Sequence, residues 1–151
     1  MHCVDTWEGG IEHKSANVNM SAVEERFEKN TGIAVSRSNT VNVIKKHKGL
    51  SLNALAGLIS SGFTNYFDFI YVDGSHQAPD VISDAILCFN LLRVGGVMGF
   101  DDYTWAENLP YGKDPIRCPK ISIDASTTIF ARKVRIINTL NHQLYIQKVT
   151  D

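Results

Sequence analysis

The sequence predicts an α/β fold with an open, mostly parallel sheet, and three observations in its second half support this. Residues 67–72 form an apolar run, residues 79–92 carry apolar side chains at helical spacing, and a second apolar run follows the glycine pair at 95–96. Strand, crossover helix and strand in this order place the two strands parallel. With 151 residues the chain is long enough for a core, so we expect one domain over residues 1–151.

The N-terminal part predicts a strand, a helix and a second short strand. Residues 2–5 have the pattern of a strand end. Ser21 and Glu24 form a capping box, which predicts a helix that ends at Gly32. The apolar residues 33–36 then predict a short strand.

Two more helices are predicted before the crossover unit. One covers residues 39–47, because the basic run at 45–48 suits a helix C-terminus. A phosphate site at this run is less favoured than a basic end that is simply exposed to solvent. The other is capped by Ser51 and closed by Gly62. In the crossover helix itself, Pro79 fits the first turn.

The C-terminal part predicts a long loop and a closing pair of strands. Residues 104–120 hold three of the four prolines and form the loop, and residues 121–133 fit either a helix or a strand. Residues 134–137 and 144–149 read as an antiparallel hairpin around Asn141–His142, because their link is too short for a crossover. We therefore expect helices on both faces of a sheet that ends in a hairpin.

Three acids follow the two strands of the crossover unit, and they predict a metal or acid/base site. Asp73 ends the first strand, and Asp101 with Asp102 ends the second. Parallel strands end at the same edge of a sheet, where open α/β sheets bind ligands. Carboxylates this close repel one another unless a proton or a cation intervenes, and their oxygens suit a hard ion such as Mg²⁺. The alternative is that one acid merely caps a helix or holds a turn.

Composition excludes several classes of partner and compartment. With 15 basic and 16 acidic side chains the net charge is -1, which gives no reason to expect nucleic acid or an anionic membrane as partner. The cysteines, Cys3, Cys88 and Cys118, are odd in number and widely spaced, which fits a reducing cytoplasm better than disulfides or a zinc site. Because no apolar stretch approaches the ~20 residues that span a bilayer, we expect a soluble cytoplasmic protein.

Three segments in order resemble a known family. They are VDTWEG at 4–9, DGSH at 73–76, and GGV at 95–97 followed by FDDY at 100–103. Together they resemble the class I S-adenosylmethionine-dependent methyltransferases, which have a Rossmann-like fold. The spacing of the acids is also similar to that of magnesium-dependent sugar O-methyltransferases of the macrocin type. The resemblance implies O-methyl transfer to a small-molecule hydroxyl, with S-adenosylmethionine and possible help from Mg²⁺.

The resemblance implies cofactor contacts in the first half of the chain. Asp5 matches the acid that accepts hydrogen bonds from the ribose hydroxyls, a role that suits a carboxylate. Trp7 would lie near that pocket, although aromatic packing across a strand end explains it equally well. Ser36, Arg37 and Ser38, at the end of the next predicted strand, are expected to contact the adenine.

It also implies catalytic roles at the strand ends. Asp73 is expected to contact the cofactor, to take part in catalysis, and to bind the metal with Asp101 and Asp102. His76 is the candidate general base because its ordinary pKa of about 6.5 lies near working pH, although a histidine at such a turn often only bonds backbone. Tyr103 and Trp105 could line the acceptor side.

One departure from the family concerns the start of the chain. The first strand and the glycine-rich turn that hold the methionine part of the cofactor would precede Asp5, and Gly9–Gly10 follows it instead. We therefore expect an N-terminally truncated domain, and a homo-oligomer becomes plausible because exposed strand edges invite pairing. A methyltransferase-like domain without catalysis, or a metal-dependent hydrolase using the three acids, are the alternatives.

Overall fold

The computed structural model describes most of the chain, and the described residues form two compact units. The units are residues 1–54 and 55–151. The single-domain organisation stays a prediction. The described ranges are residues 1–10, 13–14, 16–39, 43–107, 109–137 and 142–151.

The first unit is a parallel pair of strands with one long helix between them in sequence. Strand β1 covers His2–Asp5, helix α1 covers Met20–Ser36, and strand β2 covers Lys45–Lys48. The two strands pair in register, with Asp5 opposite Lys48. The predicted strand at residues 2–5 is therefore observed.

Helix α1 differs from its prediction at both ends. Asn19 caps it, because its side-chain oxygen accepts a hydrogen bond from the Ala22 amide at 3.2 Å, so Ser21 lies inside the helix. The predicted strand at residues 33–36 is wrong, because these residues form the last turn of α1. Gly32 does not end the helix; its cost relative to alanine is only about 1 kcal/mol, which a long helix tolerates.

The predicted helix over residues 39–47 is wrong where the structure describes it. Residues 45–47 belong to the extended strand β2, and residues 40–42 of that prediction lie outside the described residues. A run of lysines has low strand propensity, so the strand depends on contacts that are distant in sequence.

Those contacts are ion pairs between β2 and α1. Lys46 and Lys48 lie two residues apart, on one face of the strand, and Glu24 and Glu28 lie one turn apart on the helix. Lys46 pairs with Glu24 and, at 2.6 Å, with Glu28, while Lys48 pairs with Glu24 at 2.7 Å. Alternate lysines thus meet a helical row of acids.

The second unit contains the crossover and the closing hairpin. Helix α2 (Ser51–Ser60) crosses the boundary between the units, and Ser51, the predicted cap, is its first residue. Gly62, which was predicted to close this helix, follows it with a positive φ of 87°. The elements that follow are β3 (Phe67–Val72), α3 (Ala78–Leu91), β4 (Leu92–Phe100), a short 3-10 turn (Pro115–Arg117), α4 (Lys120–Ile129), β5 (Val134–Ile137) and β6 (Leu144–Lys148).

The sheet of the second unit has the order β3-β4-β6-β5. Strands β3 and β4 pair in parallel, and β6 pairs antiparallel with both β4 and β5. The predicted parallel crossover and C-terminal antiparallel hairpin are therefore observed, while Asn141 of the connecting turn lies outside the described residues. Residues 121–129 of the ambiguous segment are helical, as part of the helix Lys120–Ile129.

The glycine pair that was expected to separate α3 from its following strand lies within that strand. Strand β4 begins directly at Leu92, and Gly95 has a φ of 83°. The β3–β4 register shifts between Phe67 and Phe69, so the pair marks an irregularity of the ladder. A Cβ on Gly96 would lie 3.1 Å from the main-chain oxygen of Asp68, so any residue larger than glycine would crowd the neighbouring strand here.

The core of the second unit lies between the sheet and the helices α3 and α4. Cys88 in α3 is 3% exposed and packs in this core; burial raises the pKa of its thiol, as expected for a packed cysteine rather than a nucleophile. No described helix is long and apolar enough to cross a membrane. The most buried apolar residues are Ala85, Leu91, Leu92, Met98, Phe100, Ile123 and Ile146.

A lysine also lies in this core. Lys148 on β6 is 2% exposed. Its Nζ donates to the side-chain oxygen of Asn65 at 2.6 Å and to the main-chain oxygens of Phe89 and Leu92 at 3.2 and 3.0 Å. It also pairs with Asp151 at 2.8 Å. The charge is therefore compensated where it is buried.

Candidate functional site

The three predicted acids lie together at one edge of the second unit's sheet. Asp73 follows β3, and Asp101 and Asp102 follow β4; the Asp101 amide donates to the Val72 carbonyl at 3.0 Å. One carboxylate oxygen of each acid lies within 4.8 Å of the others. This juxtaposition follows from the parallel pairing of the two strands, as the sequence predicts.

Asp101 is held by hydrogen bonds from several sides. Its Oδ1 accepts from the Asp102 amide at 2.9 Å and from Gln143 Nε2 at 3.2 Å, and the Tyr71 hydroxyl also interacts with the carboxylate. Burial raises the pKa of Asp101, but these bonds and the nearby His76 outweigh it, so the net pKa lies below the ordinary value. Asp101 is therefore a carboxylate at neutral pH.

Asp102 and His76 form a hydrogen-bonded pair. Asp102 has a positive φ of 53°, a left-handed conformation that is uncommon outside glycine, asparagine and aspartate. Its Oδ2 lies 2.9 Å from His76 Nε2. An ionised carboxylate only accepts hydrogen bonds, so a neutral His76 ring makes this contact in the tautomer that has its proton on Nε2.

Trp105 packs against the same histidine. The two rings have centroids 4.0 Å apart and are tilted by 32°. The Trp105 amide donates to the main-chain oxygen of Asp102 at 2.9 Å, so the turn after β4 places the indole there. Trp105 therefore lies beside the site, in contact with His76. Its predicted place on the acceptor side stays a prediction.

The acids and the histidine line a small depression. Its apolar lining residues are mostly buried, and its polar ones are partly or fully exposed. The apolar residues are Val72, Val81, Phe100, Pro119 and Ile123, and the polar ones are Asp73, Ser75, His76, Asp101 and Asp102.

Tyr103, the other predicted acceptor-side residue, is engaged with α4. Its hydroxyl donates to Asp124 Oδ1 at 2.8 Å and accepts from Lys120 Nζ at 2.7 Å. Lys120 also pairs with Asp124 Oδ2 at 2.7 Å. The phenol therefore anchors the loop after β4 to α4.

In the first unit, Asp5 lies exposed at the end of β1. Its Oδ1 accepts from the Trp7 amide at 2.7 Å, and its main-chain oxygen accepts from the Gly49 amide at 2.9 Å. Trp7 is 9% exposed, and its ring packs on Phe27 with centroids 4.6 Å apart. The tryptophan side chain therefore packs within the unit, which agrees with the alternative that the sequence left open.

The residues expected at the next strand end lie elsewhere. Ser36 is in the last turn of α1 and Arg37 caps it, so their predicted position at a strand end is wrong, as is that of Ser38. The strand that follows in the chain is β2, and its end leads to Gly49–Leu50, beside Asp5. Sequence reasoning missed this strand because its residues are mostly lysines.

A family model described as a methyltransferase domain matches residues 1–103, well over half of the chain. The match includes Asp5, Asp73, His76, Asp101 and Asp102. An uncharacterized protein of Acanthamoeba polyphaga mimivirus is 32% identical over 80 residues, which are 53% of this chain. The chain spans only 35% of that relative's length.

Solved structures show the same fold at low sequence identity. A Corynebacterium glutamicum protein aligns over 99% of this chain and 61% of its own, with a TM-score of 0.61 and 15% identity. The MycE methyltransferase of the mycinamycin biosynthetic pathway, in complex with Mg, SAH and mycinamycin VI, aligns over 76% of this chain and 35% of its own (TM-score 0.52, 21% identity).

A third structure agrees with these two. An O-methyltransferase from Bacillus cereus in complex with SAH aligns over 76% of this chain and 55% of its own, with a TM-score of 0.53 and 18% identity. These structures confirm the predicted Rossmann-like α/β fold. The family match confirms the resemblance that the three segments suggested, and this chain belongs to the methyltransferase family.

Proposed function

We propose that this protein transfers a methyl group from S-adenosylmethionine to a hydroxyl of a small molecule, with a divalent cation bound by Asp73, Asp101 and Asp102. One observation carries the proposal: the three carboxylates come within 4.8 Å of one another beside His76. Oxygen-only donors of this kind fit Mg²⁺ or Mn²⁺. The MycE methyltransferase, which shares the fold, is in complex with Mg and SAH, and this supports the presence of a cation and the cofactor in the proposed reaction.

Asp5 is proposed to bind the ribose hydroxyls of the cofactor. It is exposed at a strand end, and one of its oxygens is already oriented by the Trp7 amide. We propose Gly49 and Leu50 as the adenine contacts, because they directly follow β2, the strand that pairs with β1. They take the place of Ser36, Arg37 and Ser38. Trp7 contributes its main-chain amide rather than its ring.

The reaction requires one bond to form, one to break and one proton to leave. The acceptor oxygen attacks the methyl carbon, the carbon–sulfur bond breaks, and the sulfonium becomes a neutral thioether. His76 accepts the hydroxyl proton as general base, with the ring held by Asp102 and Trp105. A bound cation would supply positive charge that lowers the pKa of the acceptor hydroxyl.

Cofactor binding is tested by calorimetric titration of the protein with S-adenosylhomocysteine. We expect binding by the wild type and a loss for Asp5→Ala of about 1.5–3 kcal/mol, the worth of charged hydrogen bonds, which is tenfold or more in Kd. Glu8→Ala, a nearby exposed acid, is the matched control and is expected to bind like the wild type. Absence of binding by the wild type would contradict the proposal.

The cation is tested by methyl transfer from labelled S-adenosylmethionine to a panel of small hydroxyl compounds. We expect transfer that a chelator abolishes and that added Mg²⁺ or Mn²⁺ restores. Asp101→Asn, which keeps the shape but removes the charge, is expected to lose this response. Transfer that persists in chelator would remove the cation from the proposal and leave the methyltransferase activity.

Two further predictions belong to this proposal. The protein is expected to reside in the cytoplasm, in line with its free cysteines Cys3, Cys88 and Cys118. It is also proposed to form a homo-oligomer, which light scattering coupled to gel filtration measures directly.

A further inference from the structure

The hydrogen bonds around Asp101 extend beyond the acids into a chain of side chains on the sheet. Gln143 Nε2 donates to the Tyr71 hydroxyl at 2.6 Å and to Asp101 Oδ1 at 3.2 Å. The two bonds use the two hydrogens of the amide. The Gln143 amide thus joins the Tyr71 hydroxyl to the Asp101 carboxylate, and burial together with this neighbouring carboxylate raises the pKa of Tyr71.

The orientation of the Gln143 amide is set from the other side. Tyr145 donates its hydroxyl to Gln143 Oε1 at 2.9 Å. Because the amide oxygen accepts this bond, the nitrogen must face Tyr71 and Asp101. The Asp101 carboxylate only accepts hydrogen bonds and therefore requires the nitrogen end of the amide, while the Tyr145 hydroxyl holds the oxygen end in place.

The sheet places these three side chains on one face. Tyr71 on β3 and Tyr145 on β6 both pair with Gly99 on β4, which lies between them. A Cβ on Gly99 would lie 2.6 Å from Tyr145 Cε1 and 3.0 Å from Tyr71 Cδ2, so both rings close over a position without a side chain. The glycine makes room for the network.

We propose that Tyr71 and Gln143, oriented by Tyr145, are positioning residues that hold the Asp101 carboxylate in the orientation needed to bind a divalent cation. The inference rests on the proposed cation site and assigns residues outside its three acids. Donors on Oδ1 fix the rotation of the carboxylate and reserve its second oxygen for the ion. Side chains that orient metal ligands in this way typically change metal affinity by about 10–100-fold when they are removed.

The test is a calorimetric titration of the intact chain with Mn²⁺, without cofactor or acceptor. We expect Tyr71→Phe to bind Mn²⁺ about tenfold more weakly than the wild type, while its metal-free melting temperature and its affinity for S-adenosylhomocysteine stay unchanged. Tyr66→Phe is the matched control, since Tyr66 is 59% exposed and lies just before the same strand. It is expected to bind Mn²⁺ like the wild type.

The outcomes separate this inference from the proposed function. Equal Mn²⁺ affinity in the wild type and Tyr71→Phe would overturn the positioning role and leave the cation site intact. No Mn²⁺ binding by the wild type would overturn both. If Tyr71→Phe fails to fold, Tyr145→Phe decides, because it removes only the hydroxyl that orients Gln143; an affinity unchanged from the wild type would then refute the inference.

Discussion

Replacing Gly99 with alanine tests the packing of the sheet face that carries Tyr71 and Tyr145. The added Cβ would approach Tyr145 Cε1 to 2.6 Å, closer than carbon atoms pack, so the ring must move and strain its 2.9 Å bond to Gln143. Overpacking of this kind costs about 1–3 kcal/mol. The lower entropy of the unfolded alanine chain returns about 0.4–1 kcal/mol, so we expect a net loss of roughly 1–2 kcal/mol.

The assay is urea unfolding followed by circular dichroism, with Gly57→Ala as the matched control. Gly57 lies in α2 of the same unit, and a Cβ there would meet nothing within 4 Å. Alanine is the better helix former, so the control is expected to gain about 0.5–1 kcal/mol. If Gly99→Ala were as stable as the wild type, the tyrosine rings would not be held over the glycine, and the reasoning would be refuted.

Three other predictions concern charge and burial. Lys148→Met leaves its buried oxygen partners without a donor, so we expect a loss of about 2–4 kcal/mol in urea unfolding. Hydrogen bonds from Lys46 and Lys48 hold the pKa of Glu24 below its ordinary value. They stabilise the folded state fully at a pH above the ordinary pKa, and this stabilisation is lost as the pH falls through the lower pKa of the folded state. Glu24→Gln is therefore expected to reduce the fall of the melting temperature at acid pH. Cys88 is expected to react with a thiol reagent only after unfolding, so Cys88→Ala leaves the number of fast-reacting thiols in the native protein unchanged.

Local patterns predicted the crossover unit well because its signals are strong and agree. Residues 67–72 are apolar except for Asp68 and form a strand with those bounds, and Pro79 lies in the first turn of the helix that follows. Strand β2 could not be predicted in this way. Its lysines are stabilised by Glu24 and Glu28, about twenty residues earlier in the chain, and no local propensity reports such a pairing.

The candidate site also combines a feature that the sequence predicts with one that it does not. The meeting of Asp73 with Asp101 and Asp102 follows from parallel pairing alone and was predictable. The contact of Gln143 with Asp101 depends on the register of β6 against β4, which the sequence does not specify. Gln143 also belongs to no recognisable motif, so nothing in the neighbouring sequence marks it.

The left-handed backbone at Asp102 restricts which residues can replace it during evolution. Only glycine, asparagine and aspartate adopt this conformation at low cost, whereas a β-branched residue would have to reshape the turn. A descendant that no longer needed the negative charge is therefore expected to drift to asparagine or glycine at position 102. Valine or isoleucine there would instead signal that the whole turn, with Trp105, had been rebuilt.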